Sequence, residues 1–361
     1  MKASLRTVRL ELAEPLRISR STMSARDAVW LTVRDDDGVQ GHGEAVTSVY
    51  YGLDTDTLGR LLTDAAAELR RFPDPESALE ALRGGGPAGS PDAPPAVTAA
   101  VDAALLDLVG KRAGTPVHRL LGAPGAPAAA TARTIGITPP ARAAAEAGRL
   151  AASGFEVVKV KAGAPDPESD IARVRAVREA APRIRLLLDP NGAWTPAQAD
   201  ALLPRFADLG VEAVEQPVAP GDPETLAALA ERSPLPIVAD EDAVGLADVQ
   251  RLAGRVHGVN VKLAKCGGVH AALRIAELIE GSGTELMLGC LTASSLGLAP
   301  AVHLVDRARW VDLDGHLLLA DDPWTGIGGT DGVVRTTDAP GLGVRLRAAH
   351  ETEEAHRADV A

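Results

Sequence analysis

Val157-Val158-Lys159-Val160-Lys161, Leu186-Leu187-Leu188-Asp189, Val211-Glu212-Ala213-Val214-Glu215, Pro236-Ile237-Val238-Ala239-Asp240 and Val259-Asn260-Val261-Lys262 are five strand-like runs, each ending on a charge. The final residues lie 28, 26, 25 and 22 positions apart. A strand, a return helix of about 10–15 residues and two short loops fill that length. Repeated parallel βα units close into a barrel whose strand C-termini meet at one face. The order Lys, Asp, Glu, Asp, Lys is then a ring of charge around one cavity. Three carboxylates suit a hard divalent cation such as Mg²⁺. Two lysines on opposite sides suit proton removal next to a substrate carboxylate.

Working outward, the repeats extend to both sides. Thr134-Ile135-Gly136-Ile137-Thr138 reads as the first strand, and Pro139-Pro140 opens an Ala-rich helix that stops at Gly154. Leu286-Met287-Leu288-Gly289-Cys290 and Trp310-Val311-Asp312-Leu313-Asp314 read as the seventh and eighth strands. Upstream, strands at Ser4–Leu12 and Asp27–Val33 precede the turn signal Asp35-Asp36-Asp37-Gly38 and a third strand, Val39–Ala45. Helices are expected over 54–71, 75–82 and 95–112, with a Gly- and Pro-rich surface loop from Gly84 to Pro95. The fold class is thus α/β: a modified (β/α)7β-type TIM barrel over 126–320 with an α+β capping domain over 1–125. Residues 321–361 are expected to return to the capping domain and to fray at the tail from Ala349.

The composition agrees. The chain has 361 residues, 46% of them hydrophobic and 24% charged, which is ordinary for a globular protein. A net charge of −12 argues against a nucleic-acid partner. Cys266 and Cys290 are too few for a disulfide framework or a zinc site. Neither a signal peptide nor a membrane span of about 18 apolar residues is visible, so the cytoplasm is the expected compartment. The partner is a small-molecule substrate, and a homo-oligomer is left open.

Asp189, Glu215 and Asp240 are the candidate metal ligands. One such residue alone is more often a helix cap, but three in succession at apolar strand ends would repel one another without a cation. Asn191 is placed to support the metal's waters. Glu241 is turned away from Asp240 by alternation and supports the ligands from outside. Lys159 and Lys161 are two apart on a valine strand, so both point inward. Neighbouring cations are expected to lower their pKa values. Lys262 faces them from four strands further round. Lys265, beyond the strand, is expected to be solvated.

This pattern resembles the enolase superfamily, in the group related to muconate-lactonizing enzymes. The positions that carry the resemblance are Lys159 and Lys161, Asp189 with Asn191, Glu215-Gln216-Pro217, Asp240-Glu241, and Lys262 before Gly267-Gly268. It implies Mg²⁺ on the three carboxylates and acid/base catalysis by Lys161 and Lys262. Lys159 would help the metal to stabilise an enediolate. The group includes cycloisomerases, o-succinylbenzoate synthases, N-acylamino acid racemases and dipeptide epimerases. Asp312 and Asp314 help to choose. They could form a solvated turn, or both could face the site and hold a substrate ammonium by charge-assisted hydrogen bonds. Dipeptide epimerases resemble the second case, and two extra carboxylates would repel the dianions that a muconate or succinylbenzoate site handles. The expectation is therefore Mg²⁺-dependent epimerization of a dipeptide at its C-terminal residue. An N-acylamino acid racemase or o-succinylbenzoate synthase, or a cycloisomerase, is the alternative within enzymes, and a catalytically silent binding barrel is the remote one.

Specificity is expected from two capping loops, 15–26 and 47–56. Tyr50 and Tyr51 beside Gly52 suggest a lid. Relatives that act on Ala-Glu carry an arginine in the first loop, and that position falls on Met23 here. Arg20 and Arg26 are close to it. Arg20, Met23 and Tyr51 are thus candidate substrate contacts.

Overall fold

In the computed structural model, which describes residues 1–84 and 93–350, three antiparallel strands open the chain. They are β1 (Lys2–Arg17), β2 (Thr22–Arg34) and β3 (Gln40–Val46). Helices α1 (Thr55–Leu69), α2 (Pro75–Arg83) and α3 (Pro95–Arg112) follow, with a short α4 (Val117–Leu120). The expected strands and helices are present, and the turn at Asp35–Gly38 closes with Asp35 N donating to Val39 O at 3.1 Å. The expected loop at Gly84–Pro95 lies mostly outside the described residues, as does most of the tail from Ala349.

Helix α3 is apolar nearly all round, and such a helix must be covered on every side. It lies directly on β3, where Gly41 and Gly43 allow the approach. A Cβ on Gly43 would sit 2.0 Å from Ala100 O. Its buried acids are both bonded. Asp102 accepts from Val269 N at 2.6 Å, and Asp107 accepts from His42 N at 3.0 Å and Leu342 N at 2.9 Å.

After β4 (Ala128–Ala130), the repeats run β5 (Ala132–Ile135), α5 (Pro140–Ala152), β6 (Val157–Lys161), α6 (Pro167–Ala180), β7 (Arg185–Asp189) and α7 (Pro196–Asp208). They continue with β8 (Val211–Glu215), α8 (Pro223–Arg232), β9 (Ile237–Ala239), α9 (Leu246–Leu252) and β10 (Gly258–Lys262). Then come α10 (Leu263–Cys266), α11 (Val269–Ile279), β11 (Glu285–Gly289), α12 (Ser295–Val302) and β12 (Trp310–Asp312). Strands β5 to β12 form one parallel sheet in sequence order. The short β13 (Trp324–Thr325), β14 (Val333–Arg335) and β15 (Arg345–Leu346) end the described chain. β14 pairs with β4, and Gly341 O accepts from Val117 N, so this stretch touches both the barrel and the N-terminal helices.

The inward residues lie in tiers. Ala132, Val157, Leu187, Ala213, Val238, Met287 and Trp310 fill the lower tier. Gly258 makes room for the indole, since a Cβ there would lie 2.7 Å from the Trp310 ring. Two residues further along, five of the eight inward positions are charged, Lys159, Asp189, Glu215, Asp240 and Asp312, while β5, β10 and β11 present Thr134, Asn260 and Gly289.

Two strands differ from expectation at their ends. The first barrel strand stops at Ile135, because Ile137 N donates instead to Arg17 O of β1 at 2.8 Å. The eighth stops at Asp312, and Asp314 leads into a 3₁₀ turn over Gly315–Leu318. Among the described residues no helix is long and apolar enough to cross a membrane.

Candidate active site

The upper tiers of the barrel carry the charges. Lys159 and Lys161 both point inward from β6, as two-residue spacing requires. Lys159 Nζ donates to Glu215 Oε2 at 3.2 Å, lies 3.7 Å from Asp189 Oδ2, and contacts Asp312 Oδ2 more closely still. Lys161 Nζ donates to Asp189 Oδ2 at 2.5 Å. Across the mouth, Lys262 Nζ donates to Asp240 Oδ2 at 2.7 Å and lies 3.8 Å from Glu215 Oε1. Asp240 sits one residue past the end of β9. The three candidate ligands, Lys159 and Lys161 are all buried.

These pairings reverse one expectation. Burial opposes charge on Lys159, but Asp312, Glu215 and Asp189 outweigh it and hold its pKa well above the ordinary value. Burial is likewise outweighed at Lys262 by Asp240 and Glu215, and its pKa is raised. The lysines were expected to repel one another, but each instead rests against a carboxylate. The acids respond in kind. At Asp240, burial is outweighed by Lys262 and Lys265, which hold the carboxyl well below the usual range. Asp189 is also lowered, by Lys161 and Lys159 against burial. Glu215 is pushed up to about 7, by burial first and then by Asp189.

Among the described residues no three acidic, histidine or cysteine side chains converge on one point. The carboxylates lean on the ammonium groups instead. The donor set nevertheless fits a hard cation: all oxygen, buried and mutually repelling. Four buried oxygens of residues at or beside these strand ends lack a partner: Asn191 Oδ1, Glu241 Oε2, Asn260 Oδ1 and Asp312 Oδ1. A buried polar atom without a partner is costly, so these atoms mark where a ligand or water completes the site. Asn191 also holds Asp189, its N–H donating to Oδ1 at 2.8 Å. Burial and the charges of Asp240 and Asp189 raise the pKa of Glu241, whose Oε1 accepts from Arg20.

The structure divides the Asp312 and Asp314 pair. Asp312 lies beside Lys159. Asp314 Oδ2 accepts from Thr134 N at 2.7 Å and from Arg133 at 3.2 Å. Those bonds, with Leu313 N donating to the Thr131 hydroxyl at 2.8 Å, join the eighth strand to the first. Parallel ladder pairing links the other seven neighbouring pairs. Asp314→Ala should therefore lower the stability of the fold by about 1–3 kcal/mol, the cost of orphaning buried donors. Denaturant midpoints test this. An unchanged midpoint would remove the closing role.

The two capping loops are tighter than expected. The first is only the hairpin tip between β1 and β2, closed by Ile18 N donating to Ser21 O at 2.9 Å. Met23 is a strand residue opposite Leu16, and its sulfur accepts from Arg26 at 3.2 Å. Alternation simply continues β2 down to Thr22, so Met23 is no loop residue. Arg20 does reach the mouth. It donates to Glu241 Oε1 at 2.7 Å and to Asn191 O at 3.3 Å, and it stacks on Tyr50 at 4.7 Å. It thereby pins both loops to the barrel. Tyr51 is half-buried, and its hydroxyl pKa is raised by burial and by Asp240.

Two polar groups of the interior, Asn260 and Glu44, escaped the sequence reading, and a third, Lys265, was misplaced. Asn260 Nδ2 donates to Glu215 Oε1 at 2.7 Å. Its position two before Lys262 was the available signal. Glu44, on β3, accepts from Trp30 Nε1 at 2.7 Å and Ser294 N at 2.9 Å, which joins the sheet to the start of α12. Its pKa is pushed up by burial to about 7. Lys265 was expected in solvent, yet it is buried against Asp240. Helix α10 begins directly after β10, so one helical turn carries position 265 back beneath the strand end.

Comparison with known proteins matches both halves of the chain. The N-terminal domain model of mandelate racemase / muconate lactonizing enzyme covers residues 1–122, and the enolase C-terminal domain-like model covers 142–350. The chain is 33% identical over 346 residues to the hydrophobic dipeptide epimerase of Roseobacter litoralis, spanning 95% of this chain and 98% of that one. It is 35% identical over 360 residues to the L-Lys-D/L-Arg epimerase of Methylococcus capsulatus, spanning 94% and 97%. The dipeptide epimerase of Enterococcus faecalis, solved with Mg and L-Leu-L-Tyr, superposes with a TM-score of 0.87 at 31% identity, covering 95% of this chain and 98% of that one.

Proposed function

The chain belongs to the enolase superfamily, in the group related to muconate lactonizing enzymes, and on that premise we propose that it epimerizes a dipeptide at the α-carbon of the C-terminal residue. What carries the reading is the placement of Lys161 and Lys262, four strand steps apart around an eight-stranded sheet with the carboxylates between them. One lysine faces each side of a carbon held at the mouth.

Asp189, Glu215 and Asp240 hold Mg²⁺, with Asn191 and Glu241 supporting them. When bound, Mg²⁺ supplies positive charge where the substrate carboxylate gains negative charge as the α-proton leaves. Lys161 or Lys262 takes that proton, and the other returns one to the opposite face. For either to act as base, its ammonium must lose its proton and its carboxylate partner. With Asp189 and Asp240 engaged on a bound cation, Lys161 and Lys262 would be released from these partners. Lys159 stays charged among three acids and stabilises the charge that develops. Asp312, through its unpartnered Oδ1, holds the substrate's ammonium. Residues 1–125 cover the mouth, with Arg20 and Tyr51 at its rim.

A library of dipeptides incubated in D₂O tests this directly. Mass spectrometry reads deuterium gain at the α-carbon whatever the side chain. No exchange with any dipeptide, in the presence of Mg²⁺, would defeat the proposal.

Specificity gives a narrower test. N-acetylation should lower kcat/KM by roughly ten- to a hundredfold, the worth of a charge-assisted hydrogen bond. Ala-Leu should outperform Ala-Glu, because the guanidinium of Arg20 is already matched by Glu241. An N-acyl substrate as the best of the set would move the assignment to an N-acylamino acid racemase. Ala-Glu as the best would refute the argument from Arg20.

A further inference from the structure

We propose that Lys265 is a positioning residue for the metal centre: it clamps one oxygen of Asp240 so that the other faces the cation. The inference rests on the metal reading above but concerns a residue with no role in it.

Lys265 Nζ donates to Asp240 Oδ1 at 2.5 Å, Asp240 O at 2.6 Å, Asn260 O at 3.0 Å and Ala243 O at 3.2 Å. Four acceptors exceed the three N–H bonds of an ammonium group, so no donor is left for a substrate. The side chain is 1% exposed. A group so enclosed cannot reach an α-carbon, which separates it from Lys262 three residues earlier.

What it holds is informative. Asp240 has two oxygens, and Lys265 occupies Oδ1 from beneath while Oδ2 turns toward the mouth and Lys262. A free carboxylate would rotate about its last bond. Two donor contacts from one ammonium, to Oδ1 and to the same residue's carbonyl, fix both the side chain and its backbone. The contact to Ala243 O closes the turn that follows β9. The contact to Asn260 O ties in the strand whose side-chain amide holds Glu215. One short segment, 260–265, thereby orients two of the three candidate ligands.

The local sequence builds this brace. Helix α10 is a single turn, closed by Gly267 N donating to Leu263 O at 3.0 Å with Gly267 at φ +104°. Gly268, at φ +106°, then passes close to Asp102, where a Cβ would lie 2.5 Å from Oδ2. The turn is held from both sides, so Lys265 has no freedom to swing out.

The charge of Lys265 alone would repel a divalent cation. Its positioning role and its electrostatic effect therefore predict opposite signs. Lys265→Met and Lys265→Gln, with the parent, should be titrated with Mn²⁺ and followed by electron paramagnetic resonance in the absence of substrate. Circular dichroism and thermal melting report folding. The clamp predicts that Mn²⁺ binds about 10- to 100-fold more weakly to Lys265→Met, in the range for outer groups that orient ligands. Lys265→Gln, which keeps a donor for Asp240, should lose less. Equal or tighter binding in a folded Lys265→Met protein would overturn the proposal. So would failure of both variants to fold, which would make Lys265 a stabilising residue. If Lys265→Met alone fails to fold, Lys265→Gln decides: weaker binding supports the clamp and parental binding refutes it. A parent that takes up no Mn²⁺ removes the metal centre, and the clamp with it. A parent that binds Mn²⁺ but epimerizes no dipeptide leaves the clamp standing and faults only the substrate assignment.

Discussion

Asp240→Asn should lower kcat/KM by about 10³-fold or more, and excess chelator should silence the parent enzyme until Mg²⁺ is added back. Asp189→Asn and Glu215→Gln should behave alike. Each substitution removes one negative charge from a site where burial has stripped away water. Asp240 is the most telling of the three. Despite its burial, Lys262 and Lys265 hold its carboxyl well below the usual range. The amide of asparagine has nearly the same shape, and Lys265 can still donate to its oxygen. Packing is thus nearly conserved while the charge is lost. Calorimetric titration with Mg²⁺ should show weakened binding in step with the rate. Full activity in excess chelator, or an Asp240→Asn protein with parental kcat/KM, would end the metal assignment.

The expected ring of charge was legible because two rules act together. Strand alternation sorts inward from outward, and the βα period places successive strands side by side. Lys159, Lys161, Asp189, Glu215, Asp240 and Lys262 all reach the interior for that reason. What the residues do there depends on partners that alternation cannot name. Nothing in the spacing says that Lys159 rests on Asp312, so its raised pKa was not foreseeable. Asp314 was misplaced by extending the strand one alternation too far. The chain turns after Asp312 because the next acid is needed by Thr134 and Arg133 of the first strand. Met23 was taken for a loop residue for the opposite reason: a polar stretch hid the continuation of β2. Lys265 was missed because helical and strand periods meet between Lys262 and Leu263. A residue three positions on returns to the strand's end only if the helix starts at once.

Lys161→Ala and Lys262→Ala should each reduce epimerization by about 10²- to 10⁴-fold, the usual span for a lost general base or acid. Each protein should keep one half of the reaction. A single surviving lysine can still take a proton from the epimer that presents it and return one to the same face. In D₂O that appears as exchange without inversion. The epimer that exchanges should differ between the two variants, because β6 and β10 lie four strand steps apart around the eight-stranded sheet. Lys159→Met should behave differently. Its ammonium is hemmed in by Asp312, Glu215 and Asp189, and it serves both directions by charge alone. Its loss should slow both epimers similarly and should leave no exchange preference. The same variant also strips a counter-charge from three buried acids, so its folding must be checked by thermal melting. If Lys161→Ala and Lys262→Ala exchanged the same epimer, the two lysines would not face opposite sides of the α-carbon. A one-base mechanism would then replace the one proposed here.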